Sequence, residues 1–237
     1  MSVNSARPSL GRSLKVILGL LLILPAIPSS LYGDNLEQKP ADLAAIVDQV
    51  EAYYKSLKDF EARFTQVARI LSYPEDQNSE GKVYIRRNQM MRWDYEKPSQ
   101  EQYYIQGETV IYYSPEVKQA RRISLAGKGG IRSPLVFFEG LKKAEADYVI
   151  AMNTDPIFDR STRHILQLTP RKAQEVQLHR ILIFVNKSQY HVERIDQYDL
   201  HGNVTELYFK DVKINQDLPD SLFAFKAPEG VQIIDQP

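Results

Sequence analysis

From Phe60 onward the chain falls into short runs rich in Tyr, Ile, Val and Phe, alternating apolar and polar residues and separated by turn residues. This period-two pattern is that of half-buried strands. The runs predict strands at Glu61–Leu71, Gly81–Arg87, Met91–Glu96, Glu101–Gln106, Thr109–Tyr113, Gln119–Leu125, Asp147–Met152, His164–Thr169, Leu178–Val185, Tyr190–Tyr198, Val204–Ile214 and Leu222–Phe225. Turn chemistry is clear at Asn186-Lys187-Ser188 and His201-Gly202-Asn203. Most links are too short for the crossovers that parallel pairing needs, so the strands are expected to follow one another in an antiparallel meander. About ten strands in one run predict a single curved sheet or barrel rather than two domains.

Ahead of the strands, Leu43, Ile46, Val47, Val50, Tyr53, Tyr54 and Leu57 recur at three- and four-residue spacing, the stripe of an amphipathic helix opened by Pro40. The first 33 residues have a different character. Arg7, Arg12 and Lys15 precede the apolar run Val16–Leu24, and Pro28, Ser29 and Ser30 follow it. A basic start, a short apolar stretch and small residues at its exit predict a secretory signal peptide over 1–33, with one domain over 34–237. The apolar run is shorter than the 20 or so residues of a membrane-spanning helix.

The 237 residues hold 30 basic and 30 acidic side chains and no cysteine. Charge balance argues against a nucleic-acid binder, which needs a basic surface to displace counterions. Without cysteine there is no disulfide, thiolate nucleophile, Cys-based zinc site or lipidated N-terminal Cys. His164, His179, His191 and His201 are scattered, and no HExxH, Gly-x-Ser-x-Gly elbow, P-loop or dinucleotide fingerprint is present. No enzyme, metal or cofactor is expected. An exported, cysteine-free chain points to the bacterial periplasm.

The segment 82–96 carries the most physical information. With Asn88-Gln89-Met90 as a three-residue turn, Arg87 pairs with Met91, Ile85 with Trp93 and Val83 with Tyr95. One face then collects Val83, Ile85, Arg87, Met91, Trp93 and Tyr95, and the other Lys82, Tyr84, Arg86, Arg92 and Asp94. A guanidinium on an apolar face is costly unless its donors are satisfied. Backbone carbonyls at the end of a covering helix are one set of partners. Snorkelling to water from the hairpin tip is the other solution. Between two strands, Gly127, Gly129 and Gly130 feed Ser133-Pro134 and the run Leu135-Val136-Phe137-Phe138. That pattern predicts a short apolar helix from Pro134 to Ala144, which suits either a movable cover or an ordinary core helix behind a loose loop.

Several motifs, in order, resemble those of the LolA family of periplasmic outer-membrane lipoprotein carriers. They are Phe60-Glu61-Ala62-Arg63-Phe64-Thr65-Gln66; Gly81-Lys82-Val83-Tyr84-Ile85-Arg86-Arg87 with Trp93-Asp94-Tyr95-Glu96-Lys97-Pro98; Gly107 with Tyr112-Tyr113-Ser114-Pro115-Glu116 and Gln119; and Phe223-Ala224-Phe225-Lys226-Ala227-Pro228-Glu229-Gly230-Val231 with Asp235. The resemblance implies a mainly β fold, an incomplete antiparallel β-barrel covered by short helices that enclose a hydrophobic cavity. It implies a monomer that takes lipoproteins from an inner-membrane ABC-type release complex, shields their acyl chains and passes them to an outer-membrane acceptor. It places the lid latch on Arg87. Val83, Ile85, Met91, Trp93 and Tyr95 from the hairpin, with Leu135, Phe137, Phe138 and Leu141 from the lid, are the expected cavity residues. Asn88 and Met91 depart from the family pattern, which often has Pro and an aromatic there. A carrier or sensor of another lipid or lipopeptide on the same architecture is the alternative.

Overall fold

A computed structural model describes residues 41–87, 90–124, 138 and 140–236. The expected signal peptide, the glycines at 127, 129 and 130, Leu135 and Phe137 lie outside the described residues.

Helix α1 (Ala41–Ser56) is followed by strands β1 (Asp59–Arg69), β2 (Gln77–Arg86), β3 (Met90–Lys97), β4 (Glu101–Gln106), β5 (Thr109–Ser114) and β6 (Gln119–Ser124). After a single turn, α2 (Leu141–Ala144), come β7 (Tyr148–Met152), β8 (Arg163–Pro170), the turn α3 (Ala173–Val176), β9 (Leu178–Asn186), β10 (Val192–Asp199), β11 (Val204–Ile214) and β12 (Gln232–Gln236). The strands form one sheet in the order β12-β6-β5-β4-β3-β2-β1-β11-β10-β9-β8-β7. Within β1–β6 and within β7–β11 the expected meander holds. The two halves are joined by β1 against β11, a pairing between strands far apart in the chain. Strands β12 and β7 are left as the two edges, so the barrel is incomplete.

One contiguous buried cluster joins Leu43, Val47 and Val50 of α1 to residues of both halves of the sheet, among them Phe60, Val83, Trp93, Ile150, Leu166, Ile183, Ile195 and Leu207. The sheet therefore curls around α1, and the helix fills its concave side. Of the predicted stripe, only Tyr53 is not fully buried.

Three expectations need correction. The hairpin register is Arg86↔Met90, Ile85↔Met91 and Val83↔Trp93, two residues away from the expected pairing. A two-residue shift preserves side-chain parity, so the apolar face survives intact. What changes is Arg87, which lies in the turn and not on the strand. Gly81 sets part of this geometry: a Cβ there would lie 2.0 Å from the Asp94 carbonyl oxygen, so only glycine admits the close strand approach at the adjoining bulge. The second correction concerns the C-terminus. Leu222–Phe225 is not a strand; Asp220–Leu222 is a 3-10 turn, and the last strand is Gln232–Gln236, parallel to β6. Phe223 is fully buried, and the Phe225 ring lies 5.3 Å from both Tyr104 and Tyr113. The two phenylalanines plug onto the outer face of the sheet, where side-chain packing outweighs ladder bonding.

The expected helix Pro134–Ala144 is also interrupted. Phe138 is helical, but Gly140 has φ 110°, a backbone conformation outside any helix, and α2 starts only after it.

Candidate functional site

The C-terminal end of α1, the tip of the β2–β3 hairpin and residues 138–143 converge around an open pocket of about 320 Å³. Tyr54, Leu57, Ile85, Met91 and Phe138 supply its apolar lining, and Glu51, Lys55, Arg87 and Lys143 stand among the polar residues around it. The Phe138 ring lies 4.6 Å from Tyr54 and 5.0 Å from Phe60.

Arg87 reaches from the hairpin turn to the helix. Its Nε donates to the carbonyl oxygen of Leu57 at 2.7 Å, and its backbone N–H donates to Lys58 O at 3.4 Å. Leu57 directly follows α1, where carbonyls lack intrahelical partners and the helix dipole favours a cation. The residue as a whole remains exposed. Both solutions offered by the sequence are thus combined: a polar tie to the helix end, from a side chain at a solvent-facing tip.

Two further ties hold α1. The Val192 N–H donates to the Tyr54 hydroxyl at 2.9 Å, in a fully buried environment. Glu51, 6% exposed, accepts the Lys142 backbone N–H at 2.7 Å and pairs with Lys55 Nζ at 2.7 Å. It serves as an N-terminal cap for α2 supplied by another helix, since Gly140 offers no side chain for the task. A Cβ on Gly140 would stand 3.0 Å from Glu51 Oε1, so the missing side chain also makes room for the carboxylate. Burial pushes the Glu51 carboxyl up, but the Lys55 ammonium and the Lys142 N–H outweigh burial and hold it below its ordinary value. Lys142 Nζ adds an exposed pair with Asp48 at 2.6 Å.

Of the residues singled out from sequence, Val83, Ile85, Met91, Trp93, Tyr95 and Leu141 are all buried in the one cluster beneath α1, and Phe138 packs against its edge. Ile85, Met91 and Phe138 reach the pocket. Val83, Trp93, Tyr95 and Leu141 do not line it. Trp93 and Tyr95 pack on Phe64 at 5.0 and 4.9 Å, and the Tyr95 hydroxyl donates to Gln66 Oε1 at 3.1 Å. Leu135 and Phe137 lie outside the described residues. Sequence reasoning missed Glu51, because a glutamate with lysine four residues on reads as a solvated helical pair. Its burial comes from tertiary packing, with Gly140 and Lys142 against its carboxylate. Among the described residues, no group of three or more His, Cys, Asp or Glu could hold a metal ion, and no helix is long and apolar enough to cross a membrane.

Comparison with known proteins adds sequence evidence to this geometry. The family described as outer membrane lipoprotein carrier protein LolA matches residues 55–226. A protein of Coxiella burnetii named outer-membrane lipoprotein carrier protein is 25% identical over 227 residues, covering 94% of this chain and 99% of its own. A protein of the same name from Cupriavidus pinatubonensis is 27% identical, covering 83% of this chain and 91% of its own. Among solved structures, an uncharacterised conserved protein from Thermus thermophilus shares the fold with a TM-score of 0.55 at 14% identity, covering 82% of this chain and 99% of that one.

Proposed function

We propose a function from one premise: this chain belongs to the outer membrane lipoprotein carrier protein LolA family. The protein works in the periplasm after loss of residues 1–33 as a signal peptide. It receives lipoproteins from an inner-membrane ABC-type release complex, shields their acyl chains on the concave face of the sheet, and delivers them to an outer-membrane acceptor.

Physical chemistry explains why such a carrier needs a removable cover. Each CH₂ of an acyl chain contributes about 0.8 kcal/mol when buried, so a lipidated protein does not leave a membrane unaided. A permanently open apolar trough would itself aggregate or bind membrane. A cover that binds the trough, and that cargo displaces, answers both demands. Cargo biases the open form only by its preferential affinity for it, so every tie that stabilises the covered form weakens net binding and speeds release.

The observation that carries this reading is the Arg87 Nε bond to Leu57 O at the pocket mouth. With the Arg87 N–H bond to Lys58 O, it holds the end of α1 to the hairpin tip through polar contacts, without adding apolar attraction. With Arg87→Leu the tie is lost and apolar surface is gained, so cargo is held more tightly and handed on more slowly. A purified transfer assay, from carrier–lipoprotein complex to an acceptor, measures this. Delivery by Arg87→Leu at the normal rate overturns the latch.

A further inference from the structure

The covered concave face also contains a group that the latch does not use. Glu101 is 1% exposed, and its Oε2 is buried without a well-formed hydrogen bond. Ser99 Oγ donates to the other oxygen at a long 3.4 Å. The Tyr112 hydroxyl stands close enough to favour the ionised carboxyl, but its geometry falls short of a full bond to Oε2. A buried carboxyl oxygen so poorly satisfied is costly, and native proteins seldom leave one without a use.

Register places this group. Glu101 pairs with Tyr95, Trp93 with Tyr103, and Tyr103 with Tyr112, so Glu101 shares the concave face with these side chains. The Tyr95 and Tyr103 rings lie 5.9 Å apart, and those of Tyr103 and Tyr112 5.0 Å apart. Tyr103 is half-buried while Glu101, Tyr95 and Tyr112 are buried, so an incoming molecule meets Tyr103 first. Tyr95 stands four residues along β3 from the pocket residue Met91, roughly 13 Å at strand spacing. One end of β3 is therefore an apolar pocket, and the other a patch of phenols around a carboxyl. Burial pushes the Glu101 carboxyl up, against the smaller opposing pull of the Tyr112 and Ser99 hydroxyls. Burial and then the Glu101 charge push the Tyr112 phenol up to about 12, while Arg121 acts on it in the opposite sense.

We propose that Glu101, with the phenols of Tyr103 and Tyr112, forms a polar seat for the acylated head of the cargo, Glu101 accepting an amide N–H next to the acyl chain. The phenols supply donors for the acyl carbonyl oxygens, so the patch offers both halves of what an N-acylated peptide terminus presents. The acyl chain then runs from this seat past Trp93 toward the pocket. This inference rests on the carrier reading and adds to it which chemical head is selected.

The test uses the purified protein and two probes that differ only by N–H against O: methyl N-palmitoylglycinate and methyl O-palmitoylglycolate. Trp93, the single tryptophan, reports binding by fluorescence. The native protein is expected to bind the amide about fivefold more tightly, the worth of one net hydrogen bond. Glu101→Leu erases the difference while still binding the ester probe, and Glu101→Gln keeps it because its amide oxygen still accepts. If the native protein binds both probes equally, the seat is wrong and the carrier reading stands. If Glu101→Leu weakens both probes equally, with a lowered melting temperature, Glu101 only supports the fold and the seat is wrong. If the native protein binds neither, the carrier reading falls and the seat falls with it.

Discussion

The two faces of the sheet are covered in different ways. On the concave side, α1 contributes an apolar stripe and no strand pairing; its polar ties include Arg87 to Leu57 O, Val192 N–H to Tyr54, and Glu51 to Lys142 N–H. On the convex side, the segment after β11 is secured by backbone. The buried Asp59 carboxylate accepts the N–H groups of Gln216 at 2.7 Å and Leu218 at 3.1 Å, and Arg92 Nη1 donates to Leu222 O at 3.1 Å. Phe223 is then buried, and β12 ends the segment as a ladder along β6 from Gln232 to Gln236. A helix laid into a trough can leave without breaking the sheet. A segment that ends as a strand cannot. The comparison separates a cover that is removable from one that is part of the scaffold.

The sharpest way to break that distinction is Phe223→Ala. Removing a fully buried phenylalanine from the convex side should cost about 3–5 kcal/mol of global stability, read as a lowered midpoint in urea with one cooperative transition. A loss confined to the C-terminal segment would mean that the strap is as detachable as the helix. Tyr54→Phe should act locally. It leaves the buried Val192 N–H without an acceptor, at about 1–3 kcal/mol. Amide exchange should accelerate in α1 while protection in β1, β2 and β11 stays near native. Glu51→Ala should cost about 1–2 kcal/mol, with faster exchange at Lys142 and in α2 and little change in the sheet.

The smallest effect is with pH. The Glu51 carboxyl is held below its ordinary value of 4.5, so its contribution is fully present above 4.5 and is lost as pH falls through the lower folded value. Binding of an apolar dye should therefore stay flat from neutral pH to about 4.5 and rise below it. In Glu51→Ala this acid-dependent part should be reduced. A rise of equal size in that variant would assign the transition to other carboxylates.

Much of the architecture was legible because its signals are local. The stripe of α1 and the alternation of β2 and β3 follow from residues three, four or two positions apart. For that reason the apolar face of Val83, Ile85, Met91, Trp93 and Tyr95 can be read even from a pairing two residues out. Phe223 and Phe225 mislead because aromatic alternation is the same whether the rings enter a ladder or plug a face. Arg87 could be narrowed to two partners, water or a helix end, and the structure uses both.

By itself, then, the sequence determined a mostly antiparallel sheet, a helix with one apolar side, and which side chains share the concave face, since period and parity depend only on neighbours along the chain. Tertiary structure alone decided that β1 closes on β11, that Glu51 caps a helix 91 residues away, that Asp59 holds a strap 157 residues away, and that Glu101 is buried with one oxygen poorly satisfied. These are matters of burial and partnership. Desolvation and hydrogen bonding act between groups that meet in space, and no local pattern of residues records which groups will meet.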